Sequence, residues 1–179
     1  NSTVSINYKK KKIAVKIISW KKNKKNPVGN IVKVFGDLEN TSVEINSLLY
    51  NYGVSTTFPD KVKVEAERIS DTVSDKEMRI RMDLRKVNTF TIDPSDAKDF
   101  DDALSVEKHR NGNVIVGIHI ADVGFYVKPG GVIDKEAYKR GESIYLVDRV
   151  VPMLPETLSN NICSLKPNVD RLAYSVMFE

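Results

Sequence analysis

The chain has 179 residues, enough for one ordinary domain or two small ones. No apolar run approaches the roughly 20 residues of a membrane span. The start, Asn-Ser-Thr-Val, has neither the basic-then-apolar segment nor the cleavage site of a signal peptide. We therefore expect a cytoplasmic protein that does not associate with a membrane. The single cysteine, Cys163, excludes an internal disulfide, and without an evident histidine partner we interpret it as a small buried residue rather than a nucleophile.

The net charge of +4 is unevenly distributed along the chain. Residues 1–36 contain ten lysines and no acidic residue. Ten of the 28 basic residues therefore lie in this segment, and the remainder has 18 basic against 24 acidic residues, a net charge of −6. A basic segment beside an acidic, metal-binding part favours an enzyme that holds a polyanion and cleaves it with the help of a cation.

The first 36 residues read as β structure. Alternating apolar and polar residues predict strands over 4–8 and 13–20, with a turn at Lys9–Lys12, and a third short strand over Ile31–Phe35 that ends at Gly36. Three or four strands are too few to close a stable barrel. We therefore interpret this segment as the C-terminal part of a small β-barrel.

Residues 37–82 change to helical patterns and form a predicted connector. Thr41–Glu44 reads as a capping box, and apolar residues at helical spacing follow it as far as Gly53. A second helix is predicted over roughly residues 60–69. Ser74–Glu77 reads as another capping box, with a helix to about Met82. We see no catalytic chemistry in these helices and expect them to serve packing.

Five aspartates crowd residues 93–102: Asp93, Asp96, Asp99, Asp101 and Asp102. Two carboxylates about 4 Å apart repel by roughly 4 kcal/mol at an effective dielectric constant near 20. Such groups are normally neutralised by a proton or a cation. With only carboxylate oxygens available, the pattern favours Mg²⁺ or Mn²⁺ over zinc.

The simplest alternative for this aspartate-rich segment is a solvated turn. Phe100 argues against it, because an aromatic ring flanked by acids is expected to point inward. Phe90 and Ile92 precede the acids as a buried strand would. A calcium EF-hand is a poor fit, since the loop lacks the glycine at its sixth position and the glutamate at its twelfth.

The rest of the chain alternates short strands with turns. A β-hairpin is predicted over Leu104–Lys108 and Val114–Ile120, with a tight turn at Asn111-Gly112. His119 on its second strand is a possible general base, but we interpret it as a partly buried, hydrogen-bonded histidine. A short helix over 134–140 and a final strand over 173–178 follow.

Two blocks of residues resemble one family. The run Thr91–Asp93 with Asp96–Ala103 resembles the catalytic motif of the RNB family of hydrolytic 3′→5′ exoribonucleases. This family includes ribonucleases II and R, and the resemblance is stronger to the ribonuclease R branch. A second block resembles the downstream family motif, through Val150–Glu156, Leu158–Asn160, Cys163–Leu165 and Asp170–Leu172. The resemblance implies hydrolysis of RNA from its 3′ end to nucleoside 5′-monophosphates.

The resemblance also implies roles for individual aspartates. Asp93 and Asp102 would hold Mg²⁺, or Mn²⁺, with Asp99 assisting both the metal and catalysis. Asp101 would position or activate the attacking water. We interpret Asp96 instead as a residue whose side chain stabilises a turn.

RNA contacts are expected in two parts of the chain, the region that follows the aspartates and the basic N-terminal segment. Tyr145 matches a family tyrosine that stacks on a nucleotide near the RNA 3′ end, and the alternative is a core tyrosine on a strand. Lysines 21, 22, 24 and 25 are candidate contacts for the RNA backbone, with Trp20 or Tyr8 as stacking surfaces. The alternative there is a charged hairpin that aids solubility, with Trp20 in the core.

The expected fold is α+β in three parts. These are the end of an OB-type (cold-shock) β-barrel over 1–36, a helical connector over 37–82, and the first half of the mixed α/β RNB catalytic domain over 83–179. The chain would be a fragment, inactive alone, of a monomeric enzyme that binds single-stranded RNA. The alternative is a non-catalytic RNA-binding module with a degenerate nuclease domain. Without the resemblance, a nucleotidyltransferase would be an equal contender.

Overall fold

The computed structural model describes residues 8–179, so the strand predicted over 4–8 lies outside the described residues except for Tyr8. The chain divides into two compact units, Asn1–Thr57 and Phe58–Glu179, which are described separately. Within the described residues, no helix has both the length and the apolar character needed to cross a bilayer.

The first unit is a β-hairpin followed by a helix. Strands β1 (Lys11–Ser19) and β2 (Val28–Asp37) pair antiparallel, with register shifts that mark β-bulges. The predicted turn at Lys9–Lys12 is therefore shorter than expected, because β1 already begins at Lys11. Helix α1 (Thr41–Asn51) is capped one residue earlier than predicted, by Asn40 rather than Thr41, since the side chain of Asn40 accepts a hydrogen bond from the Ser42 amide at 2.9 Å.

Helix α1 packs on this hairpin. Val43 and Leu49 of α1 are buried, and a Cβ at Gly36 would lie 2.7 Å from Val43 Cγ2, so only glycine admits this close approach. An ion pair between Lys12 and Glu44 joins β1 to α1. The first compact unit therefore includes the helix that the sequence analysis assigned to the connector, and it extends past the boundary proposed at residue 36.

The second unit contains a four-stranded antiparallel sheet in the order β3-β4-β5-β8. These strands are β3 (Thr89–Phe90), β4 (Asp102–Lys108), β5 (Val114–Ala121) and β8 (Ala173–Phe178). The predicted hairpin and final strand are confirmed. Gly112 in the β4–β5 turn has a φ angle of +91°, a conformation that glycine adopts without strain. A second small hairpin pairs β6 (Ile144–Tyr145) with β7 (Val150–Val151).

Helices cover part of this unit: α2 (Asp60–Glu67), α3 (Asp75–Ile80), α4 (Val123–Tyr126), α5 (Val132–Arg140) and a π-helical turn over Leu158–Ile162. Ser74 caps α3 as predicted, because its hydroxyl accepts a hydrogen bond from the Glu77 amide at 3.3 Å. The reciprocal half of the capping box is not formed among the described residues, since the Glu77 carboxylate accepts from Arg81 Nε at 2.9 Å. The buried core joins α2, α5 and the π-helical turn through Val62, Ala66, Ile133, Leu158 and Ile162.

The two faces of the sheet differ. On one face the buried His119 ring lies against Gly117 and between two serines, with Nδ1 2.7 Å from the Ser175 hydroxyl and Nε2 2.8 Å from the Ser105 hydroxyl. The other face presents Asp102 in register with Ile120 and, one strand further, Tyr174. Asp102 is the first residue of β4, so the preceding acids occupy the loop that leads into this strand.

Phe90 and Ile92, which precede the aspartates, are not buried, although the sequence predicted a buried strand there. Phe90 is 47% exposed and Ile92 is 81% exposed. The reason is that β3 has only two residues and lies at the edge of the sheet, where no further strand among the described residues covers it.

Candidate functional site

The aspartate-rich segment is held by the sheet at its C-terminal end. The Ala121 amide of β5 donates to the Asp101 carbonyl at 2.9 Å, and Asp102 lies opposite Ile120. Near the start, the Ala97 amide donates to the Pro94 carbonyl at 3.0 Å and closes a turn. The side chain of Asp96 takes part in none of the hydrogen bonds found across residues 8–179. The turn-stabilising role predicted for it is therefore wrong, since the backbone closes the turn without it.

The middle of the segment is held by residues more than sixty positions later. The Ser164 hydroxyl accepts a hydrogen bond from the Phe100 amide at 3.0 Å and donates one to the Lys98 carbonyl at 2.8 Å. The Leu165 amide donates to the Phe100 carbonyl at 2.8 Å. Phe100 itself is half-buried. The segment is thus anchored largely by hydrogen bonds to the amide and carbonyl of Phe100, rather than by burial of the Phe100 ring alone.

The guanidinium group of Arg171 is hydrogen-bonded to the backbone of Ser164 and to Asn161. Its Nε donates to the carbonyls of Asn161 at 3.0 Å and Ser164 at 3.2 Å, and a terminal nitrogen reaches the Asn161 side-chain oxygen at 3.0 Å. Ser164 and Arg171 were used in the sequence analysis only as part of the second block of family residues, and neither was given a role. The only sequence signal for such a role was their presence in that block.

The aspartates interact electrostatically. Partial burial of the Asp101 carboxyl raises its pKa, and the negative charges of Asp99, Asp102 and Asp93 raise it further, although Asp101 as a whole residue is exposed. The four aspartates given metal or catalytic roles are therefore gathered closely enough for three of them to disfavour charge on the fourth. Their individual roles stay predictions.

Tyr145 joins this group from hairpin β6–β7. Its hydroxyl donates a hydrogen bond to Asp99 Oδ2 at 2.8 Å. This bond, together with partial burial and the charges of Asp99 and Asp101, raises the pKa of Tyr145 to about 12. The ring is 65% exposed, so Tyr145 is not the core tyrosine of the alternative interpretation. An exposed ring beside the carboxylates has room to stack, and stacking on RNA stays a prediction.

The donor atoms suit a hard cation, but they do not form a finished cage. All the gathered side chains offer carboxylate oxygens, the ligands that Mg²⁺ and Mn²⁺ prefer. Across residues 8–179, no three or more histidine, cysteine or acidic side chains already stand in a metal-binding arrangement. The predicted ligands Asp93, Asp99 and Asp102 fit a cation by chemistry and charge, and side-chain rotation would have to bring their oxygens together.

The predicted lysine contacts lie in the first unit. Lysines 21, 22, 24 and 25 are exposed on the β1–β2 loop, where the Lys24 amide donates to the Lys21 carbonyl at 2.9 Å. Trp20 at the start of this loop is 65% exposed, so the expectation of a core tryptophan is wrong for the described residues. Because all four ammonium groups stand on one exposed loop, they form a local positive surface, and contact with RNA stays a prediction.

His119 and Cys163, for which the sequence did not favour a catalytic role, are structural residues. His119 is buried, both its ring nitrogens are hydrogen-bonded, and burial lowers its pKa. Cys163 is buried in the core, and burial raises the pKa of its thiol to about 11. A neutral thiol at physiological pH is a poor nucleophile. Both interpretations from the sequence are confirmed.

The fold and the gathered carboxylates now define the class of protein. The family model of the RNB domain matches residues 81–179, and that of the cold shock domain matches residues 7–59. The chain belongs to the RNB-domain family. Its architecture is thus a cold-shock OB part followed by an RNB region, as the sequence predicted.

Ribonuclease R of Thermotoga maritima is 48% identical over 170 residues, which cover 94% of this chain and 24% of that protein. The structure titled Mycoplasma genitalium RNase R in complex with double-stranded RNA superposes with a TM-score of 0.83 at 31% identity, covering 95% of this chain and 30% of that one. The yeast pseudonuclease Ssd1 has a TM-score of 0.65 at 22% identity, covering 96% and 22%, and shares the fold alone. The chain spans between 18% and 24% of the length of the curated relatives it matches.

The crowding of carboxylates predicts a charge-dependent stability effect. In the absence of divalent cations, Asp101→Asn should raise Tm by about 1–3 °C at pH 7, since 1 kcal/mol corresponds to roughly 2–4 °C for a chain of this size. The folded-state pKa of Asp101 is raised, so its unfavourable charge develops as pH rises through that pKa. The gain should therefore vanish below the unfolded pKa of about 3.9.

Thermal melts at pH 7 and pH 3, in chelator, check this, with Asp96→Asn as the matched control. Asp96 is exposed and is not one of the charges that act on Asp101. Equal Tm changes in the two variants would show that the repulsion is not local to Asp101.

Proposed function

We propose that this chain supplies the cold-shock part and the aspartate-bearing region of a Mg²⁺-dependent, processive 3′→5′ exoribonuclease. The enzyme would act in the cytoplasm as a monomer, on the 3′ end of single-stranded RNA, and release nucleoside 5′-monophosphates. The observation that carries this proposal is a group of four aspartates on an anchored loop, in which partial burial and the charges of the other three raise the pKa of the Asp101 carboxyl. Support comes from relatives named ribonuclease R and from neighbours titled as complexes with RNA.

Each aspartate takes a distinct part in this proposal. Asp93 and Asp102 would hold Mg²⁺ or Mn²⁺, with Asp99 assisting. The cation would supply positive charge against the phosphate and lower the pKa of the attacking water. Asp101 orients that water and accepts its proton, and a carboxylate of raised pKa is a stronger base than an ordinary aspartate.

The rival proposal is an RNA-binding module with a decayed nuclease domain. It predicts that at least one aspartate of the cluster is lost, yet Asp93, Asp99, Asp101 and Asp102 are all present. The likeness to a pseudonuclease does not favour the rival, because at 22% identity it concerns the fold alone. The carboxylates, rather than the architecture, favour the enzyme.

Asp101→Asn tests the function in the full-length protein. Because Asp101 acts on the attacking water, the substitution should lower turnover by several orders of magnitude and leave RNA affinity within about threefold. A labelled oligonucleotide followed on a gel, with binding measured alongside, separates the two. If affinity and turnover fell together, Asp101 would be a structural or metal-holding group. If the wild-type protein bound RNA and cleaved none, the rival would be favoured.

Metal binding should stabilise the fold. If Mg²⁺ binds with a Kd of about 1 mM, then 10 mM Mg²⁺ adds about 1.4 kcal/mol to the free energy of unfolding and raises Tm by roughly 3–6 °C. Asp93→Asn should abolish the rise, whereas Asp96→Asn should retain it. A calorimetric titration without binding at millimolar Mg²⁺ would contradict the proposed ligand set.

Tyr145 offers a separable pair of substitutions. Tyr145→Phe removes the hydrogen bond to Asp99 and keeps the ring, so nucleotide stacking should persist. Tyr145→Ala removes the ring, whose stacking is worth about 1–3 kcal/mol per base. The alanine variant alone should change the length of the final product on a sequencing gel. The same product length in all three proteins would exclude stacking by Tyr145.

The lysine loop should contribute to the salt dependence of binding. For single-stranded RNA, the slope of log K against log salt is about −0.7 per phosphate contact. Reversing Lys21, Lys22, Lys24 and Lys25 to glutamate should flatten this slope by up to about 2.8 if all four make contact. Fluorescence anisotropy between 50 and about 300 mM salt measures it. An unchanged slope would make the loop a solvated surface only.

A further inference from the structure

Ser164 bridges the two peptide groups that flank Asp99. It is fully buried, at 0% exposure, and its hydroxyl bonds to the Lys98 carbonyl on one side of Asp99 and to the Phe100 amide on the other. We propose that Ser164 is a positioning residue that fixes the backbone of Asp99 and thereby the placement of the neighbouring Asp101. This inference rests on the proposed function and adds a residue outside the acidic cluster to it.

The geometry leaves the backbone of Asp99 little freedom. A third bond, from the Leu165 amide to the Phe100 carbonyl at 2.8 Å, adds to the two made by the Ser164 hydroxyl. The Asp99 carboxylate is restrained separately by the Tyr145 hydroxyl at 2.8 Å. Both the main chain and the side chain of Asp99 are therefore held, by two different segments of the sequence.

The backbone of Ser164 is itself held by hydrogen bonds, and its side chain is shielded from solvent. Arg171 Nε donates to the Ser164 carbonyl at 3.2 Å, and the Ser164 amide donates to the Asn161 carbonyl at 3.0 Å. At zero exposure, water cannot replace the Ser164 hydroxyl without rearrangement of the core. The bridge is thus part of the packed interior, while the carboxylates it places are at the surface.

Loss of the hydroxyl should affect placement more than folding. Without it, the Phe100 amide and the Lys98 carbonyl lose their shared partner, and the repulsion between carboxylates is free to push the loop outward. A shift of about 1 Å at a reacting group costs on the order of 100-fold in rate. The core around Ser164 should survive because the Leu165–Phe100 bond and the Arg171 contacts do not use the hydroxyl.

The test is Ser164→Ala in the full-length protein, with Ser159→Ala as the matched control. Ser159 lies in the same segment, and its hydroxyl makes only long hydrogen bonds, at 3.5 Å to the Pro155 carbonyl and 3.4 Å to Asn160 Oδ1. Ser164→Ala should lower kcat by about 10–100-fold and leave RNA affinity within about threefold. Ser159→Ala should change neither. Ser164→Cys, which keeps a weak donor of similar size, should restore part of the rate.

Hydrogen exchange provides a readout that does not depend on activity. In Ser164→Ala, the peptide covering residues 97–103 should exchange about tenfold faster or more, since loss of about 1.4 kcal/mol is a tenfold change, while β8 exchanges as in the wild type. Unchanged exchange in that peptide overturns the proposal, and so does faster exchange in both regions, which would mean a merely structural role. Faster local exchange with undiminished kcat also overturns it.

These outcomes separate the inference from the proposed function. A wild-type protein that cleaves no RNA removes the proposed function, and the exchange pattern still decides whether Ser164 fixes the Asp99 backbone. A wild type that cleaves RNA, with a Ser164→Ala variant that behaves like Ser159→Ala, removes the inference alone.

Discussion

Repulsion among carboxylates is the constraint on which the second unit depends. Asp93, Asp99 and Asp102 lie close enough to Asp101 that their charges add to the effect of burial and raise the pKa of its carboxyl. The opposing forces come from the buried Ser164 hydroxyl, the pairing of Asp102 with β5, and the Tyr145 hydroxyl on Asp99. The core of this unit can therefore be understood as the support for an unfavourable charge arrangement at its surface.

Local patterns predicted the elements that local interactions create. The β4–β5 hairpin, the Ser74 cap and the strand β8 follow from alternation, turn residues and capping, all of which act over a few residues. Contacts between residues far apart in sequence decide the rest. Helix α1 groups with the first hairpin because Val43 packs over Gly36, and the predicted burial of Phe90 is wrong because β3 is a short edge strand. Neither fact is present in a local window of sequence.

In the candidate site, too, the sequence predicted the features that depend on neighbouring residues and missed the contacts between distant ones. The aspartates were identifiable because five acids in ten residues are an unusual charge density. The contacts that fix them join Asp99 to Tyr145, 46 residues later, and Phe100 to Ser164, 64 residues later. Residue types gave no hint of the second contact, because serine is common and its role here depends on burial. Similarity to known proteins located these residues without explaining them.

The fold and the proposed chemistry also differ in what they demand of Asp101. A raised pKa means that the negative charge of Asp101 destabilises the folded state relative to a neutral group, so stability alone favours asparagine there. The proposed reaction requires the opposite, since a carboxylate can accept a proton from water and the amide of asparagine cannot. Aspartate at position 101 is therefore best explained by function, because it opposes the stability of the chain that carries it.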